Sequence, residues 1–260
     1  LRAVLGRFTG GTLRAIASGA GLTALVQSSS ATVLTTIGFV SAGLLTLRQA
    51  IGVIFGANVG TTSTGWIVSL LGLKLSIGAY ALPFVGVGAL MRLLARGRVA
   101  SFGFALAGFG LIFLGIDILQ QGMAVLSTRI DPSTFAGTGL GPRLLLVLAG
   151  IVMTVVMQSS SAAVATTLTA LHSGAINLEQ AAALVVGQNI GTTVTAALAA
   201  IGASIAARRT AVAHIMFNTI TGVIAFLLVP AAVHLEVLVA ARLGGADPAV
   251  LVAAFHTAFN

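Results

Sequence analysis

The sequence predicts an all-α polytopic membrane protein made of two inverted repeats, each with a re-entrant helical hairpin and a broken helix. Three observations carry this expectation. The first is composition. Of 260 residues only 13 are Lys or Arg and 5 are Asp or Glu, 57% are hydrophobic, and the mean hydropathy is +1.09. Charged residues make up 7% of the chain, against roughly 25% in a soluble domain. So little polar surface rules out a water-soluble globule, and intrinsic disorder fails for the same reason. The second observation is the length of the uncharged runs, and the third is an internal repeat whose matches fall on polar residues. Cys is absent, which removes disulfides and thiolate metal sites. The net charge of +8 reflects scarce acids and comes without a Lys/Arg-rich stripe, so no nucleic-acid partner is expected.

Charged residues divide the chain into uncharged runs at 15–47, 49–73, 75–91, 99–116, 144–178, 180–207 and 210–235. A crossing helix needs about 20 apolar residues. The runs 49–73, 75–91, 180–207 and 210–235 each read as one crossing, and 99–116 as another that continues past Asp117 to Ser127. The runs 15–47 and 144–178 are too long for one helix and too short for two full ones. Each has a polar centre, Gln27-Ser28-Ser29-Ser30 in one and Gln158-Ser159-Ser160-Ser161 in the other. Two half-length helices meeting at a polar tip fit both. Such backbone survives at membrane depth only where protein or a water-filled cavity surrounds it. Leu1 is not an initiator Met and the chain ends on an apolar stretch at Asn260, so it reads as a segment of a longer protein.

The two long runs are copies of one another. With Gln27 set against Gln158, an offset of 131, residues 27–62 align without a gap and 17 of the 36 positions are identical. The matches include QSSSA, the Thr pairs 35–36 and 166–167, Gly43 and Gly174, Gln49 and Gln180, and Gly-x-Asn-x-Gly-Thr-Thr at 56–62 and 187–193. Identity at Gln, Ser, Asn, Gly and Thr points to duplication rather than shared apolar composition. Three crossings separate the copies if the first is re-entrant, so the second copy is inverted. Basic residues weigh this. One side receives Arg2, Arg7, Arg14, Arg48, Arg92, Arg96, Arg98, Arg208 and Arg209; the other receives Lys74, Arg129, Arg143 and Arg242 with Asp131, Glu179, Glu236 and Asp247. The Arg-rich side is expected in the cytoplasm. Residues 1–98 form the first repeat, 99–235 the second, and 236–260 a C-terminal helix. Inverted repeats with broken helices are the layout of secondary transporters, with a site near the midplane.

Each QSSS tip sets three hydroxyls and an amide where one half-helix ends and another begins. The N-terminus of the second half-helix offers N–H groups and partial positive charge, which suit an oxyanion. The preceding half-helix offers carbonyls near Ala24–Val26, which with Gln27 and Ser oxygens suit a hard cation such as Na⁺. The glycines of GxNxGTT weaken the helix there, by about 1 kcal/mol each, while its Asn and Thr supply donors and acceptors. No Lys, Arg, Asp or Glu lies in 15–47, 49–73, 144–178 or 180–207. The proposed site is neutral, so a bound anion needs co-bound cations.

Plainer readings stand beside these. Ser, Thr and Gly also serve helix packing in membranes, although duplication in register argues for a site. Asp117 sits at the end of an apolar run, either as a functional acid or at the membrane boundary. His214-x-x-Phe217-Asn218 recurs as His256-x-x-Phe259-Asn260, and a His in an apolar helix is more often packing than ligand. Trp66, Tyr80 and the Phe residues read as lipid or core contacts.

With QSSSA present twice and GxNxGTT following each, the sequence resembles the type II sodium–phosphate cotransporter family and its bacterial relatives, over essentially the whole chain. The resemblance implies hairpins tipped by QSSS and Na⁺-coupled phosphate uptake by alternating access at the plasma (bacterial inner) membrane. It implies substrate contacts from Gln27, Ser28, Ser29, Ser30, Asn58, Gln158, Ser159, Ser160, Ser161 and Asn189. Sodium candidates are Gln27, Ser30, Thr61, Thr62, Gln158, Ser161, Thr192 and Thr193. The expected partners are inorganic phosphate, Na⁺ and the lipid bilayer, with oligomerisation open and no cofactor beyond the coupling ions. His214-x-x-Phe217-Asn218 resembles the family's helix after the second motif.

Two departures remain. The first repeat shows only Ala79–Leu90 where HxxFN is expected, and the helix at 102–127 has its counterpart before Leu1. A carrier of another small anion or solute stays open, because Ser, Thr and Asn donors do not identify phosphate. An intramembrane serine hydrolase using His214 lacks a nucleophile elbow, and a channel is the third alternative.

Overall fold

The computed structural model describes residues 2–74, 77–127, 139–242 and 244–260. Arg129 and Asp131, used above to weigh topology, lie outside the described residues, as does the side chain of Lys74. Every regular element is helical among the described residues. In chain order they are α1 (Arg2–Thr9), α2 (Thr12–Val26), α3 (Ser29–Ser41), α4 (Leu47–Ile67), α5 (Ala81–Leu94), α6 (Gly97–Ser127) and α7 (Leu140–Met157). There follow α8 (Ser160–His172), α9 (Leu178–Gly191), α10 (Thr193–Ala199), α11 (Ile205–Arg242) and α12 (Pro248–Phe259). A wide π-helical turn at Val68–Lys74 extends α4, and a 3₁₀ turn at Ile77–Tyr80 precedes α5. Five helical stretches are long and apolar enough to cross a membrane, as a multi-pass membrane protein requires.

The duplicated residues explain why the two copies fold alike. α3 and α8 begin and end at matching positions. Gly43 and Gly174, just past each helix, both have positive φ, 67° and 75°, where a residue without Cβ is favoured. Gln49 and Gln180 each close a capping box, with Thr46 for α4 and with Asn177 for α9. Two orphan N–H groups at each helix start are thereby satisfied. Within each copy, the first hairpin arm lies along the helix after the hairpin: α2 along α4, and α7 along α9.

Four expectations need correction. GxNxGTT breaks only the second copy, where α9 stops at Gly191 and α10 starts at Thr193; α4 runs unbroken through Gly56–Thr62. The glycines serve close approach instead. A Cβ on Gly56 would collide with the Ile16 carbonyl, one on Gly60 with the Ala20 carbonyl, and one on Gly187 with the Val147 carbonyl. Spaced four apart, they line one helix face against the hairpin arm. Second, the run 75–91 yields a 14-residue helix, α5, which starts only at Ala81, after the 3₁₀ turn at Ile77–Tyr80. Third, α11 continues through Pro230 to Arg242, so the helix expected to begin at 236 begins at Pro248. Fourth, the hairpin arms α2 and α7 have 15 and 18 residues. At 1.5 Å per residue these exceed half of a hydrocarbon layer about 30 Å thick. Each starts in the flanking segment before Arg14 or Arg143. Arg143 and Glu179, placed on one side by charge counting, are in contact at 2.8 Å.

Gly56→Ala and Gly187→Ala should each lower the thermal unfolding midpoint in detergent, by the equivalent of about 1–3 kcal/mol. Gly38→Ala, whose Cβ would meet nothing within 4 Å, should not. Equal midpoints for all three would remove the close-packing role.

Candidate functional site

Each tip turns on one residue in an uncommon conformation. Gln27 (φ 55°, ψ 30°) and Gln158 (φ 52°, ψ 22°) are left-handed, the only non-glycine residues with positive φ among those described. A left-handed residue stops a helix and lets its last carbonyls find new donors. The Gln27 N–H donates to Thr23 O at 2.7 Å. The Gln27 amide Nε2 folds back onto Ala24 O, and Gln158 Nε2 does the same to Val155 O at 2.6 Å. The Ala24 carbonyl, expected to await a cation, is thus already taken. Its counterpart in the second copy is taken in the same way.

The next residue, Ser28 or Ser159, is extended and caps the second half-helix. Ser28 Oγ accepts from the Ala31 N–H at 3.2 Å, and Ser159 Oγ from the Ala162 N–H at 3.1 Å. The hydroxyl hydrogens stay available for donation. The N–H groups of Ser29 and Ser30, like those of Ser160 and Ser161, have no carbonyl one turn earlier to bond. Each tip therefore presents hydroxyls, two N–H groups and the positive end of a helix dipole. Ser29 and Ser160 are buried; Ser28, Ser30, Ser159 and Ser161 are half-buried.

Two residues outside the predicted set join the tips. Thr64 Oγ1 lies 2.9 Å from Gln27 Oε1 and 3.0 Å from Ser161 Oγ. Gln27 Nε2 also donates to Ser63 Oγ at 3.0 Å. One chain of side chains thus runs from the first tip to the second. On the opposite flank, Ser29 and Ser30 share a cleft too narrow to admit a water with Thr192, Thr195 and His214. Thr195 is the counterpart of Thr64, so each tip meets the same threonine of the other copy. Gln158 is not drawn in: it is exposed, and Val194 stands where the first copy has Ser63.

The GxNxGTT segments meet through α11. Asn58 Nδ2 donates to Asn218 Oδ1 at 2.6 Å. Asn218 Nδ2 donates to Thr192 Oγ1 at 3.0 Å, approaches Asn189 O at 3.4 Å, and lies 3.1 Å from His214 Nε2. Thr61, Thr62, Thr192 and Thr193 are buried, and each hydroxyl donates to a backbone carbonyl three or four residues earlier at 2.7–2.8 Å. A hydroxyl engaged in that way keeps its lone pairs as acceptors suited to a hard cation, although Thr192 already accepts from Asn218. The bond between His214 and Asn218 agrees with the packing reading of that histidine. Thr64 and Asn218 had readable signals: extending the repeat alignment to Thr195 finds the first, and the recurrence of HxxFN marks the second.

This geometry makes Ser28 and Ser159 caps as well as candidate ligands. Ser28→Ala should cost about 1 kcal/mol of stability, visible as a lower unfolding midpoint, whereas Ser28→Asn should restore it. A midpoint unchanged by Ser28→Ala would show that the hydroxyl does not cap.

The profile of the family described as Na+/Pi-cotransporter matches residues 1–121 and 135–244. The uncharacterized protein YqeW of Bacillus subtilis (strain 168) is 34% identical over 257 residues, covering 97% of this chain and 79% of its own. YjbB of Escherichia coli (strain K12), named for inorganic phosphate export, is 32% identical over 262 residues. That match covers 100% of this chain and 46% of the relative, so the chain spans about half the length of YjbB. Sodium-dependent phosphate transport protein 2C of Homo sapiens is 41% identical over 91 residues, 34% of this chain and 15% of its own. No solved structure matches the chain.

Proposed function

Because the chain belongs to the Na+/Pi-cotransporter family, a family of transporters rather than enzymes, we propose that it carries inorganic phosphate by alternating access, coupled to Na⁺. Residues 1–98 and 99–235 act as inverted repeats with re-entrant hairpins, and α12 follows them. The single observation that supports this reading best is the side-chain chain Gln27–Thr64–Ser161, which joins the two QSSS tips. Phosphate bears between one and two negative charges near neutral pH. Each tip contributes a half-helix N-terminus, worth about half a unit of positive charge, and no formal cation lies in either motif. Two tips and bound Na⁺ together balance a phosphate; one tip leaves it poorly compensated at low dielectric. One shared site per chain follows.

In this reading Ser29, Ser30, Ser160 and Ser161 hold phosphate oxygens through hydroxyls and first-turn N–H groups, with Ser28 and Ser159 donating from their capping positions. Gln27, Gln158, Asn58 and Asn189 complete the polar shell. Sodium is held by the lone pairs of Thr61, Thr62, Thr192 and Thr193, with the oxygens of Gln27, Ser30, Gln158 and Ser161. Na⁺ and phosphate each lower the cost of placing the other in the apolar interior.

A second reading concerns direction. YjbB is named for export, and it matches this chain along its whole length. A carrier runs either way, and the gradients decide the flux. Labelled phosphate flux in proteoliposomes tests the coupling: an inward Na⁺ gradient should drive uptake, and flux indifferent to Na⁺ would remove it. Ser161→Ala should raise the KM for phosphate about tenfold or more, the loss of one hydrogen bond to a charged group. An unchanged KM in both Ser30→Ala and Ser161→Ala would sink the assignment of the tips.

A further inference from the structure

The second HxxFN segment has no part in the reading above. His214-x-x-Phe217-Asn218 lies on α11, and His256-x-x-Phe259-Asn260 on α12. The two helices occupy exchanged places. α11 packs against α3, α4, α9 and α10; α12 packs against α8, α9, α4 and the wide turn at 68–74. In the repeat, α3 corresponds to α8 and α4 to α9, so the hairpin arm that one helix meets is the counterpart of the arm that the other meets. Phe217 stacks on Phe55 with centroids 4.4 Å apart. Phe259 packs against the cluster that holds Val186, the counterpart of Phe55. The HxxFN helix expected for the other copy is therefore α12.

The same correspondence can be followed atom by atom. Asn58 Nδ2 bonds Asn218 Oδ1. Its repeat-related mate would join Asn189 Nδ2 to Asn260 Oδ1, and these two atoms are both buried and both without a hydrogen-bond partner. A buried donor and a buried acceptor left unpaired are each costly, and here each is the group the other needs. The tips show the same one-sidedness. Gln27, Thr64 and Ser161 are joined. Their mates Gln158, Thr195 and Ser30 are not: Gln158 is exposed, and Thr195 and Ser30 only share the narrow cleft.

We propose that Asn260 is a positioning residue of the transport cycle, the acceptor for Asn189 in a second conformation in which the Asn58–Asn218 bond is open. In that conformation Gln158–Thr195–Ser30 closes while Gln27–Thr64–Ser161 parts. The bonds that exchange join the same side-chain types in both conformations, which brings their free energies together, as a carrier rocking one repeat against the other requires. This inference rests on the carrier reading, and its test needs no phosphate.

The chain has no Cys, so two engineered pairs report the two conformations: Thr64→Cys with Ser161→Cys, and Ser30→Cys with Thr195→Cys. Asn260→Ala should reduce cross-linking of the Ser30/Thr195 pair relative to the Thr64/Ser161 pair, about three- to tenfold, the population shift expected from one hydrogen bond. Asn218→Ala should change the ratio in the opposite direction. Asn189→Ala should reproduce Asn260→Ala, and combining them should add nothing further. Ratios that move the same way in Asn218→Ala and Asn260→Ala, or do not move, overturn the proposal. So does an absent Ser30/Thr195 cross-link in Asn218→Ala. Wild-type flux tests the phosphate reading separately, so opposite ratio shifts without phosphate flux would leave the exchange standing and change only the cargo.

Discussion

Stopping a helix in apolar surroundings strands its last carbonyls, and starting another strands its first N–H groups. Everything distinctive in this fold depends on how the two tips meet that constraint. A Gln in the left-handed region ends the first arm and turns its own amide back onto the carbonyl three residues earlier. The following Ser caps the second arm with its hydroxyl. Glycine would take the same φ without strain, but it has no amide to offer the carbonyl. The requirement for a long polar side chain at that point explains Gln in both copies. It also leaves the Gln oxygen facing outward, where in the first copy it meets Thr64. Satisfying the backbone and building a polar site are here one arrangement.

Outside the tips, the copies are joined by apolar clusters, with Val33, Ile37, Ile54 and Ala57 packed against Ala196, Ala207 and Ala211, and by shared polar residues. Asn218 alone touches the Asn of the first motif and the Thr and Asn carbonyl of the second. Deeply buried side chains bonded to both copies report their relative position, since a small displacement costs a bond rather than a fraction of a contact area. At two helix starts the copies differ in charge. Arg143 pairs with Glu179 and lies 5.8 Å from the Phe226 ring centre, whereas the first copy has Thr12 and Arg48 at those positions. The two copies therefore share their polar motifs and diverge at these helix starts.

The parts legible in the sequence were those whose local chemistry leaves few alternatives. The polar centres of 15–47 and 144–178 marked the turns at Gln27 and Gln158, and the identical Gly43/Gly174 and Gln49/Gln180 proved to be helix-end devices. What sequence reasoning missed depends on tertiary neighbours. Glycines in GxNxGTT read as helix weakeners because propensity is local, yet α4 stays continuous: packing against α2 needs their missing Cβ and overrides propensity. Pro230 leaves α11 a single helix, again against the local rule. Thr64 lay two residues beyond the aligned block, and nothing in one strand of sequence says that a threonine will face the other copy's serine. The charge-based topology was legible only as a balance, because few residues carry it.

The contacts divide into stiff and soft sets. Within a copy, α2 meets α4 and α7 meets α9 with backbone against backbone, through Gly19, Gly56 and Gly60 in one pair and Gly150 and Gly187 in the other. No side chain in such a contact can swing aside, so any shift meets carbonyls directly. Between the tips, the links are single hydroxyl and amide hydrogen bonds, each worth about 1 kcal/mol net. A body that moves as a unit needs the first kind of contact inside it, and a boundary that can be crossed on the timescale of transport needs the second. The placement of glycine and hydroxyl residues therefore makes each hairpin arm and its partner helix one piece, and leaves single hydrogen bonds between the tips, where the proposed exchange would act.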